Sequence, residues 1–320
     1  MKKIIIVASD PNSINSEIIF KTWKKINTQQ KKKIYLIGNI NLIKKQFKKL
    51  KVHLPILEVD KLDHNNISNK LKVINIPLRF KNPFNVPLVN SRKYIAKSFN
   101  TAHNLCSDRN VGGMINCPTD KRLLHKTKII GVTELLSSMN KVAKDSEVML
   151  IHNKKISVVP LTTHINLKKI SKSIKKSMII KKMKTLRKQY KKNFKINPKI
   201  AVLGLNPHNA ELDIHSEERK IIEPAILFLK KRGFKIEGPY SADTIFIDNY
   251  KKFDVIVGMY HDQVLAPFKS LFHFDAINIT LGLNYLRLSP DHGPAKDIIF
   301  KNKANYFSLL NCVKFISKKK

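Results

Sequence analysis

Short apolar runs alternate along the chain with segments whose apolar residues recur at helical spacing. The helical segments are 16–26, 92–106, 134–144 and 217–232. The apolar runs are rich in β-branched residues and are mostly followed by Gly, Asn, Asp or Thr, a pattern that predicts buried strands. The predicted strands are 3–9, 33–39, 111–117, 157–163, 199–205, 254–260 and 276–282. A further strand is predicted at 244–247. This alternation predicts an α/β fold with a largely parallel sheet.

Histidines follow three of the predicted strands. His164, His208 and His261 come directly after the runs that end near residues 163, 205 and 260. Ligands on parallel sheets bind beyond the carboxyl ends of the strands, so these imidazoles are expected at one edge. Three histidines with an open fourth position form a known catalytic zinc arrangement, which polarises a hydroxyl or carbonyl group. The alternative interpretation is that each histidine caps a turn.

Other polar residues near the predicted strand ends suit an anionic substrate. Asp243 precedes the predicted strand 244–247, where a carboxylate can act as a base, orient a metal ligand or cap a turn. Lys269, Asn278 and Arg287 add cationic and amide groups, and arginine favours forked contacts to carboxylate or phosphate. In so basic a chain, a single Lys or Arg is also typical of a solvated surface.

The charge of the chain is strongly positive, with 61 Lys and Arg against 23 Asp and Glu and a net charge of +38. Such a charge suits a nucleic-acid partner or a surface that has drifted toward lysine. Lysines are spread from Lys2 to Lys320, aromatic residues make up 8%, and only 10 glycines occur, which favours drift in an AT-rich coding sequence. The most basic segment, 167–197, predicts one or two amphipathic helices with a solvated lysine face, an RNA-binding helix being the alternative. We therefore expect no nucleic-acid partner.

Length and composition allow one large or two ordinary domains in a chain of 320 residues that is 42% hydrophobic. Three cysteines without a CxxC motif favour a reducing compartment. The apolar run at residues 4–8 is too short for a signal peptide or a membrane span, and we expect a cytoplasmic protein without a membrane partner. No GxGxxG, GxxxxGK[ST] or GxSxG motif occurs, so a nucleotide cofactor would be held in another way.

Several motifs follow one another in order over nearly the whole chain: SDP…SE (9–17), NCPTDK (116–121), LTTH (161–164), GLNPH (204–208), GPYSADT (238–244), YHDQVLAPFK (260–269) and NITLGLNYLRLSPDHGPA (278–295). Together they resemble the 4-hydroxythreonine-4-phosphate dehydrogenase family of pyridoxal phosphate biosynthesis. The resemblance implies a fold similar to isocitrate and isopropylmalate dehydrogenases. That fold has two α/β/α domains with largely parallel sheets and an active site in the interdomain cleft. We place the first domain at 1–128 plus 291–320 and the second, with the metal ligands and dimer interface, at 129–290.

The resemblance also implies roles for particular residues. It matches His164, His208 and His261 to metal ligands, and it implies a homodimer that shares the active site between two chains. It matches Asp243 and Lys269 to catalytic positions. Its substrate-binding positions are Thr133, Lys269, Asn278 and Arg287, and its cofactor loop HGPAKD contributes His292, Gly293, Ala295 and Asp297.

The implied reaction is the oxidation of 4-phosphooxy-L-threonine by NAD or NADP with a divalent metal, zinc first and magnesium or cobalt as alternatives. The keto acid that forms, 2-amino-3-oxo-4-phosphooxybutanoate, loses CO2 to give 3-amino-2-oxopropyl phosphate. Two alternatives stay open. One is a sister dehydrogenase acting on another phosphorylated hydroxy acid, such as a four-carbon sugar-acid phosphate, and the other is a non-catalytic derivative that binds nucleic acid.

The sequence departs from the family pattern at several loops. Val132 replaces a substrate-binding histidine of the motif GHTE, and SDPNSINSE lacks the glycines of GDPxGIGPE. Ala210, Val264 and Asn302 stand at glycine positions, and Ile299 and Phe300 also replace small residues. The metal-ligand set is intact, so we expect either a retained activity in a drifted chain or a changed substrate.

Overall fold

Two compact units make up the chain. The computed structural model describes residues 2–63, 68–124, 131–143, 145–211 and 213–319. Unit 1 comprises Met1–Met139 and Asn284–Lys320, and unit 2 comprises Asn140–Leu283. The division expected at 128/129 lies outside the described residues. Residues 131–139 and 284–290, which the sequence assigned to the second domain, group with unit 1.

The described residues form twelve strands. In chain order they are β1 (Lys3–Val7), β2 (Ile34–Gly38), β3 (Ile56–Val59), β4 (Leu71–Asn75), β5 (Val111–Asn116), β6 (Val148–His152), β7 (Ser157–Pro160), β8 (Ile200–Leu203), β9 (Ile236–Tyr240), β10 (Val255–Gly258), β11 (Ile277–Leu281) and β12 (Arg287–Pro290). The seven strands predicted from buried β-branched runs are all confirmed. The sequence did not predict β3, β4, β6, β9 and β12.

The same residues form ten α-helices. These are α1 (Asn15–Lys25), α2 (Thr28–Lys33), α3 (Ile40–Lys49), α4 (Leu88–Leu105), α5 (Val132–Met139), α6 (Ile170–Ser173), α7 (Lys176–Phe194), α8 (Glu223–Lys230), α9 (His261–Phe272) and α10 (Phe307–Ser317). A π-helical turn, Glu218–Ile222, leads into α8. No helix of the described chain combines the length and the apolar character that crossing a membrane requires.

Unit 1 is built on six parallel strands in the order β3-β4-β2-β1-β5-β12. The central strand β1 is buried along its whole length, and Ile4, Ile5 and Val7 are inaccessible to solvent. Its continuous β-branched run is typical of a parallel strand covered on both faces. The core of unit 1 therefore lies on both sides of β1 and its neighbours.

Unit 2 has six strands in the order β11-β6-β7-β10-β8-β9. The strands β7, β10, β8 and β9 are parallel, whereas β6 runs antiparallel to both β7 and β11. Val257 of β10 lies opposite Val159 of β7 and Val202 of β8. Because these three strands end in register, the residues that follow them emerge at one edge of the sheet. The prediction of a mixed α/β fold with largely parallel strands is confirmed.

Two predicted elements differ from the structure. Residues 244–247 form turns rather than a strand. Ile245 and Phe246, adjacent in sequence, are both buried while Ile247 is exposed, and this pattern does not fit the two-residue period of a strand. The helix predicted at 134–144 is α5, which ends at Met139; Asn140 and Lys141 form a turn, and Lys144 lies outside the described residues.

The basic segment 167–197 contains α6 and α7, which confirms the prediction of amphipathic helices. Helix α7 buries Ile179, Met183, Leu186 and Tyr190 on one face. Lys182 of the same helix is buried and donates a hydrogen bond from Nζ to the backbone oxygen of Glu147 at 2.6 Å. Most other lysines of α7 are exposed. The helix thus needs no partner to account for its apolar stripe.

A second buried lysine lies in the core of unit 1. Lys72 of β4 is 0% exposed, and its Nζ donates to the backbone oxygens of Ser68 at 3.1 Å and Lys31 at 3.3 Å. The Nζ atom lies 5.2 Å from the centre of the Tyr35 ring. Burial, together with the nearby Lys3 ammonium, lowers the pKa of Lys72 from 10.5 to about 8. The folded state therefore holds this proton less tightly than the unfolded state.

We expect the free energy of unfolding to rise with pH between about 8 and 10.5, because the unfolded chain binds more protons there than the folded chain. The substitution Lys72→Met should remove this part of the pH dependence. It should also raise stability at pH 7 by about 1–3 kcal/mol, since a buried charge is replaced by an apolar group. Urea unfolding from pH 7 to 10 measures both effects. The exposed neighbour Lys70 gives the control Lys70→Met, and equal pH slopes for the two variants would contradict the assignment.

Candidate active site

The three predicted metal-binding histidines all follow strands of unit 2 that end in register. His164 lies four residues beyond the end of β7, and His208 lies in the turn Pro207–Ala210, just after β8. His261 is the first residue of α9, which begins soon after β10. The His-Asp-Gln triplet that follows β10 is thus the first turn of a helix.

Two of these histidines face each other. The ring centroids of His164 and His261 lie 5.8 Å apart with an interplanar angle of 39°. His261 donates from Nδ1 to Oδ1 of Asp262 at 2.6 Å, which leaves its Nε2 as the acceptor nitrogen. A carboxylate on the far nitrogen is the usual support of a metal-binding imidazole. Two imidazoles on one zinc ion place their centroids about 5–6 Å apart, so this pair fits a shared metal ion.

The third histidine has a different partner. Nε2 of His208 lies 3.5 Å from Oδ2 of Asp243, and both side chains are largely exposed. The hydroxyl of Ser241 and the nearby His208 hold the pKa of Asp243 below its usual value. Asp243 is therefore ionised at neutral pH.

The structure does not bring the three histidines together as one metal-binding group. Within the described chain, no cluster of three or more His, Cys, Asp or Glu side chains is arranged to hold a metal ion. The family resemblance expects the ligand set to be completed by a second chain. The three-histidine site accordingly stays a prediction, and the structure contributes the geometry of the His164–His261 and His208–Asp243 pairs.

The loop that carries His208 has an unusual backbone. His208, Asn209, Ala210 and Glu211 all have positive φ angles, between 48° and 59°. None of them is glycine, the residue that adopts this region without steric cost. The amide of Asn209 donates to the backbone oxygen of Pro239 at 3.1 Å, which ties the loop to the end of β9.

A buried carboxylate supports the start of the same loop. Oε1 of Glu218 accepts the backbone N–H groups of Leu205 at 2.7 Å and Asn206 at 2.8 Å, and Oε2 accepts the Asn206 amide at 2.9 Å. Glu218 is almost fully buried. Buried carboxylates of this kind need such donors, because an unpaired charge in the core is costly. Glu218 therefore fixes the turn that leads to His208.

Gln263 connects the ends of β10 and β8. Its Oε1 accepts the backbone N–H of Met259 at 2.7 Å, and its Nε2 donates to the backbone oxygen of Gly204 at 2.8 Å. The hydroxyl of Thr162, just after β7, donates to the backbone oxygen of Met259 at 2.7 Å. These bonds hold the segments that precede His164, His208 and His261 against one another.

Val264, which replaces a family glycine, points into the core. It is fully buried in a cluster with Leu265, Phe268 and Ile256. A side chain on Gly258 would lie only 2.5 Å from Val264, so Gly258 provides the room for it. The β-branched residue packs beneath the first turn of α9 and does not occupy the surface that His261 faces.

Lys269 and Asn278, predicted to bind substrate, lie on α9 and β11. Lys269 is half-buried and belongs to the last turns of α9. Oδ1 of Asn278 is buried, and no described residue donates a hydrogen bond to it. A buried acceptor without a donor is uncommon in folded proteins and fits a position that a ligand completes.

Arg287 and Thr133, the predicted substrate-binding residues of unit 1, contact each other. Arg287 is buried, and it donates from Nε to Oδ1 of Asn116 at 2.7 Å and from Nη1 to the Thr133 hydroxyl at 3.3 Å. Burial lowers the pKa of Arg287 to about 10, so it stays charged at neutral pH. Val132, which replaces the family histidine, precedes Thr133 at the start of α5 and is half-buried.

The predicted cofactor loop, 292–297, is anchored within unit 1. The backbone oxygen of Pro294 accepts the N–H of Ile14 at 3.2 Å, and Lys296 donates to Asp120 at 3.0 Å. A side chain on Gly293 would meet open space, whereas Ala295 has a positive φ of 45°. The open side of Gly293 leaves room for a group that approaches the backbone, which fits a cofactor.

The glycine-poor loop after β1 is held by polar side chains. Ser9 adopts a positive φ of 58°, and the Ser13 hydroxyl donates to the backbone oxygen of Asp10 at 2.6 Å. The amide of Asn15 donates to the backbone oxygens of Ala8 at 2.9 Å and Pro118 at 2.8 Å. Small hydrogen-bonding residues thus hold the loop at positions where the family pattern has glycine.

Sequence reasoning gave no role to Glu218, Gln263 or Asn116. Asn116 lies inside the predicted strand 111–117 and is the last residue of β5, and a polar residue at the carboxyl end of a buried strand was a usable signal. Gln263 belongs to a polar triplet, residues 261–263, which separates two apolar runs of the sequence. Glu218 resembles any acidic residue of a first helical turn, and only the folded chain shows its contacts.

Comparisons with known proteins identify the family. The family model "Pyridoxal phosphate biosynthetic protein PdxA" matches residues 29–316. A 4-hydroxythreonine-4-phosphate dehydrogenase of Aquifex aeolicus is 36% identical, over 98% of this chain and 97% of its own length. The crystal structure of a 4-hydroxythreonine-4-phosphate dehydrogenase from Klebsiella pneumoniae covers 99% of both chains, with a TM-score of 0.83 and 25% identity. An isocitrate dehydrogenase from Methylococcus capsulatus, covering 99% of this chain and 85% of its own, shares the fold alone, with a TM-score of 0.51 and 11% identity.

The fold is therefore that of the isocitrate-dehydrogenase-like α/β proteins. Within that class, the chain belongs to the pyridoxal phosphate biosynthetic protein PdxA family. The resemblance inferred from the sequence motifs is confirmed.

The loop of His208 yields a stability prediction. Ala210→Gly should raise the free energy of unfolding by about 1 kcal/mol, because glycine adopts the positive φ of 53° without steric cost. The matched control is Ala96→Gly on the exposed face of α4, which should lower stability by about 1 kcal/mol. Urea unfolding of both variants measures the two effects. A loss of stability in both would show that residue 210 is not left-handed.

Proposed function

We propose that the protein is a 4-hydroxythreonine-4-phosphate dehydrogenase that oxidises 4-phosphooxy-L-threonine with NAD or NADP. The observation that supports this most strongly is the similarity to a dehydrogenase of this name over nearly the whole length of both chains. The predicted site residues accompany it, since each lies in a motif that follows the family order.

The reaction is a hydride transfer followed by decarboxylation. When bound, an oxidised nicotinamide would supply the acceptor for the C3 hydrogen as a hydride, and the C3 hydroxyl proton would go to a base of the protein. The product, 2-amino-3-oxo-4-phosphooxybutanoate, is a β-keto acid. It loses its carboxylate as CO2 and takes up a proton at C2, which gives 3-amino-2-oxopropyl phosphate.

Asp243 is the proposed base. Its pKa lies below the usual value, so the carboxylate is ionised at neutral pH but is a weak base, and the assignment depends on its position beside His208 and on the family motif. Its neighbour His208 lies 3.5 Å away, with Nε2 toward Oδ2 of Asp243. Lys269 carries an ammonium group on α9 that suits the phosphate of the substrate.

The remaining substrate contacts come from neutral and cationic groups. Arg287 keeps its charge although it is buried, and it donates hydrogen bonds to Asn116 and Thr133. A guanidinium held in this way is suited to a carboxylate or a phosphate. Asn278 offers a buried acceptor oxygen for a hydroxyl or ammonium group of the substrate.

His164, His208 and His261 are the residues that would hold a divalent metal, zinc first and magnesium or cobalt as alternatives. The 5.8 Å spacing of His164 and His261 supports this. A divalent metal at such a site supplies Lewis-acid stabilisation of negative charge on the substrate oxygen. His292, Gly293, Ala295 and Asp297 would hold the nicotinamide cofactor, and the open side of Gly293 supports that assignment.

A second copy of the chain is the proposed partner. Large apolar side chains are exposed beside the candidate ligands in sequence: Leu167 is 68% exposed, Ile214 70% and Ile247 70%. They follow His164, His208 and Asp243 within six residues. Such exposed apolar residues are candidates for a homodimer interface, which would bury the same residues on both chains.

The activity and the metal site can be tested together. The purified chain should reduce NAD+ or NADP+ only when 4-phosphooxy-L-threonine is present. His261→Ala should remove most of the bound metal and the activity, because it deletes one of the two facing imidazoles. Absorbance at 340 nm and metal analysis measure the two effects.

The control for this experiment is His53→Ala, which deletes an exposed histidine of unit 1. It should keep both metal and activity. Equal metal content in the two variants would contradict the proposed metal site. A well-folded chain that turns over another phosphorylated hydroxy acid but not 4-phosphooxy-L-threonine would establish the sister dehydrogenase instead.

Val132 offers a test of how the substrate pocket has changed. The variant Val132→His restores a group that can bind an anion beside Thr133 and Arg287. We expect the KM for 4-phosphooxy-L-threonine to fall about tenfold, as for one regained charged hydrogen bond. Steady-state kinetics measure the change, and Val132→Ala controls for altered packing. A KM that stays the same or rises would indicate a pocket built for a different substrate.

A further inference from the structure

Asn116 contacts a guanidinium that the proposed function assigns to the substrate. Asn116 is the last residue of β5, and Arg287 is the first residue of β12. The two strands pair in parallel, with Arg287 opposite Met114. Side chains two residues apart on a strand lie on the same face, so Asn116 and Arg287 share one face of the sheet. The contact between them therefore follows from the strand register.

The contact between Asn116 and Arg287 is short and buried. Nε of Arg287 donates to Oδ1 of Asn116 at 2.7 Å. Asn116 is 2% exposed and Arg287 is 3% exposed. With so little of Arg287 accessible, the rotation of its guanidinium decides which nitrogen atoms can reach a ligand. A bond at Nε restricts that rotation, because the Nε–H group lies in the plane of the rigid guanidinium.

The amide of Asn116 can accept this bond in one orientation only. Its Nδ2 donates to the backbone oxygen of Cys117 at 3.2 Å. Reversal of the amide would place its NH2 group against the Nε–H donor of Arg287, and its oxygen against the oxygen of Cys117. The two neighbours thus select the same orientation of the amide, so the acceptor oxygen is already in place before a ligand binds.

A second bond reaches Arg287 from α5. Nη1 of Arg287 donates to the hydroxyl of Thr133, the second residue of that helix, at 3.3 Å. Side chains from two elements, Asn116 and Thr133, therefore hold the guanidinium at Nε and at Nη1. A long arginine side chain loses rotamer entropy when it is fixed. Here that loss occurs on folding, so substrate binding does not have to offset it.

The acceptor on Asn116 adds no charge to the site. Burial lowers the pKa of Arg287 to about 10, whereas Cys312, Glu134 and Tyr285 act in the opposite direction. Arg287 is still protonated at neutral pH, and a buried cation needs hydrogen-bond acceptors. A carboxylate in place of the amide would attract the guanidinium more strongly. The amide satisfies the same N–H group and leaves more of the positive charge for an anionic substrate.

We propose that Asn116 is a positioning residue for substrate binding. Its amide fixes the guanidinium of Arg287 beside Thr133, and it brings no negative charge that would compete with the phosphate or carboxylate of the substrate. This inference rests on the proposed function, which assigns Arg287 and Thr133 to the substrate. It adds Asn116, which acts through Arg287.

Two variants separate the presence of the acceptor from its charge. Asn116→Leu keeps a similar volume but removes the acceptor, whereas Asn116→Asp keeps an oxygen acceptor and adds a negative charge. We expect each variant to raise the KM for 4-phosphooxy-L-threonine about tenfold or more, as for the loss of one charged hydrogen bond. The KM for the nicotinamide cofactor and the kcat should stay near the wild-type values, because the change weakens substrate binding alone.

The matched controls are Asn153→Leu and Asn153→Asp. Asn153 is also a buried asparagine, at 5% exposure, and its Oδ1 accepts the backbone N–H groups of Lys155 at 2.8 Å and Ile156 at 2.9 Å. This turn precedes β7, at the opposite end of the strand from His164. Asn153→Leu should lower the Tm as Asn116→Leu does. Both control variants should leave the KM for 4-phosphooxy-L-threonine unchanged.

Steady-state kinetics and thermal melting curves of the whole purified chain measure these effects. An unchanged substrate KM in a folded Asn116 variant would overturn the proposal, and so would an equal rise of this KM in the Asn153 variants. Should Asn116→Leu not fold, Asn116→Asp decides, because it keeps the acceptor for Arg287. Absence of wild-type activity on 4-phosphooxy-L-threonine would contradict the proposed function as well. Wild-type activity with an unchanged KM in the Asn116 variants would contradict this inference alone.

Discussion

The register of three parallel strands determines where the chemistry of unit 2 can lie. Val257 of β10 pairs with Val159 of β7 and Val202 of β8, so the three strands end at the same level. All three are buried, and a shift of one residue would turn their side chains to the opposite face. The positions of His164, His208 and His261 follow from this alignment, because each histidine comes after one of the three strands. Their separation is fixed by strand spacing more than by the loops that carry them.

The loops have changed while the framework has been kept. Ser9 and Ala210 hold positive φ angles that glycine adopts more easily, and hydrogen bonds from Ser13 and Asn15 hold the first loop in place. Val264 fills space that Gly258 leaves open. A chain poor in glycine has thus preserved the backbone path with polar contacts and complementary packing. The cost is conformational strain of about 1 kcal/mol at each left-handed position without glycine.

The sequence was sufficient for the parts of the fold that depend on local pattern. Strands such as β1 and β10 are continuous β-branched runs, and their burial on both faces makes that signal strong. Strand β3 is only partly buried and β9 contains Gly238 and Pro239, so neither has that signal. The candidate site also combines features that local sequence pattern predicts with features that depend on the folded chain. The order of histidines after strands was visible, whereas the contact of Thr133 with Arg287 joins residues 154 positions apart and exists only in the folded chain.

The amide side chain of Gln263 links two strand ends at the edge of the sheet in unit 2. Gln263 accepts from Met259 and donates to Gly204, and it spans the gap between two strand ends with both of its polar atoms. Since Gln263 belongs to the first turn of α9 and Gly204 leads to the loop of His208, the two segments are linked by a spacer of fixed length. A displacement of the residues that lead to the His208 loop would stretch or break the hydrogen bond from Gln263 to Gly204. The ends of β8 and β10 therefore move independently only at the cost of this bond, about 1 kcal/mol.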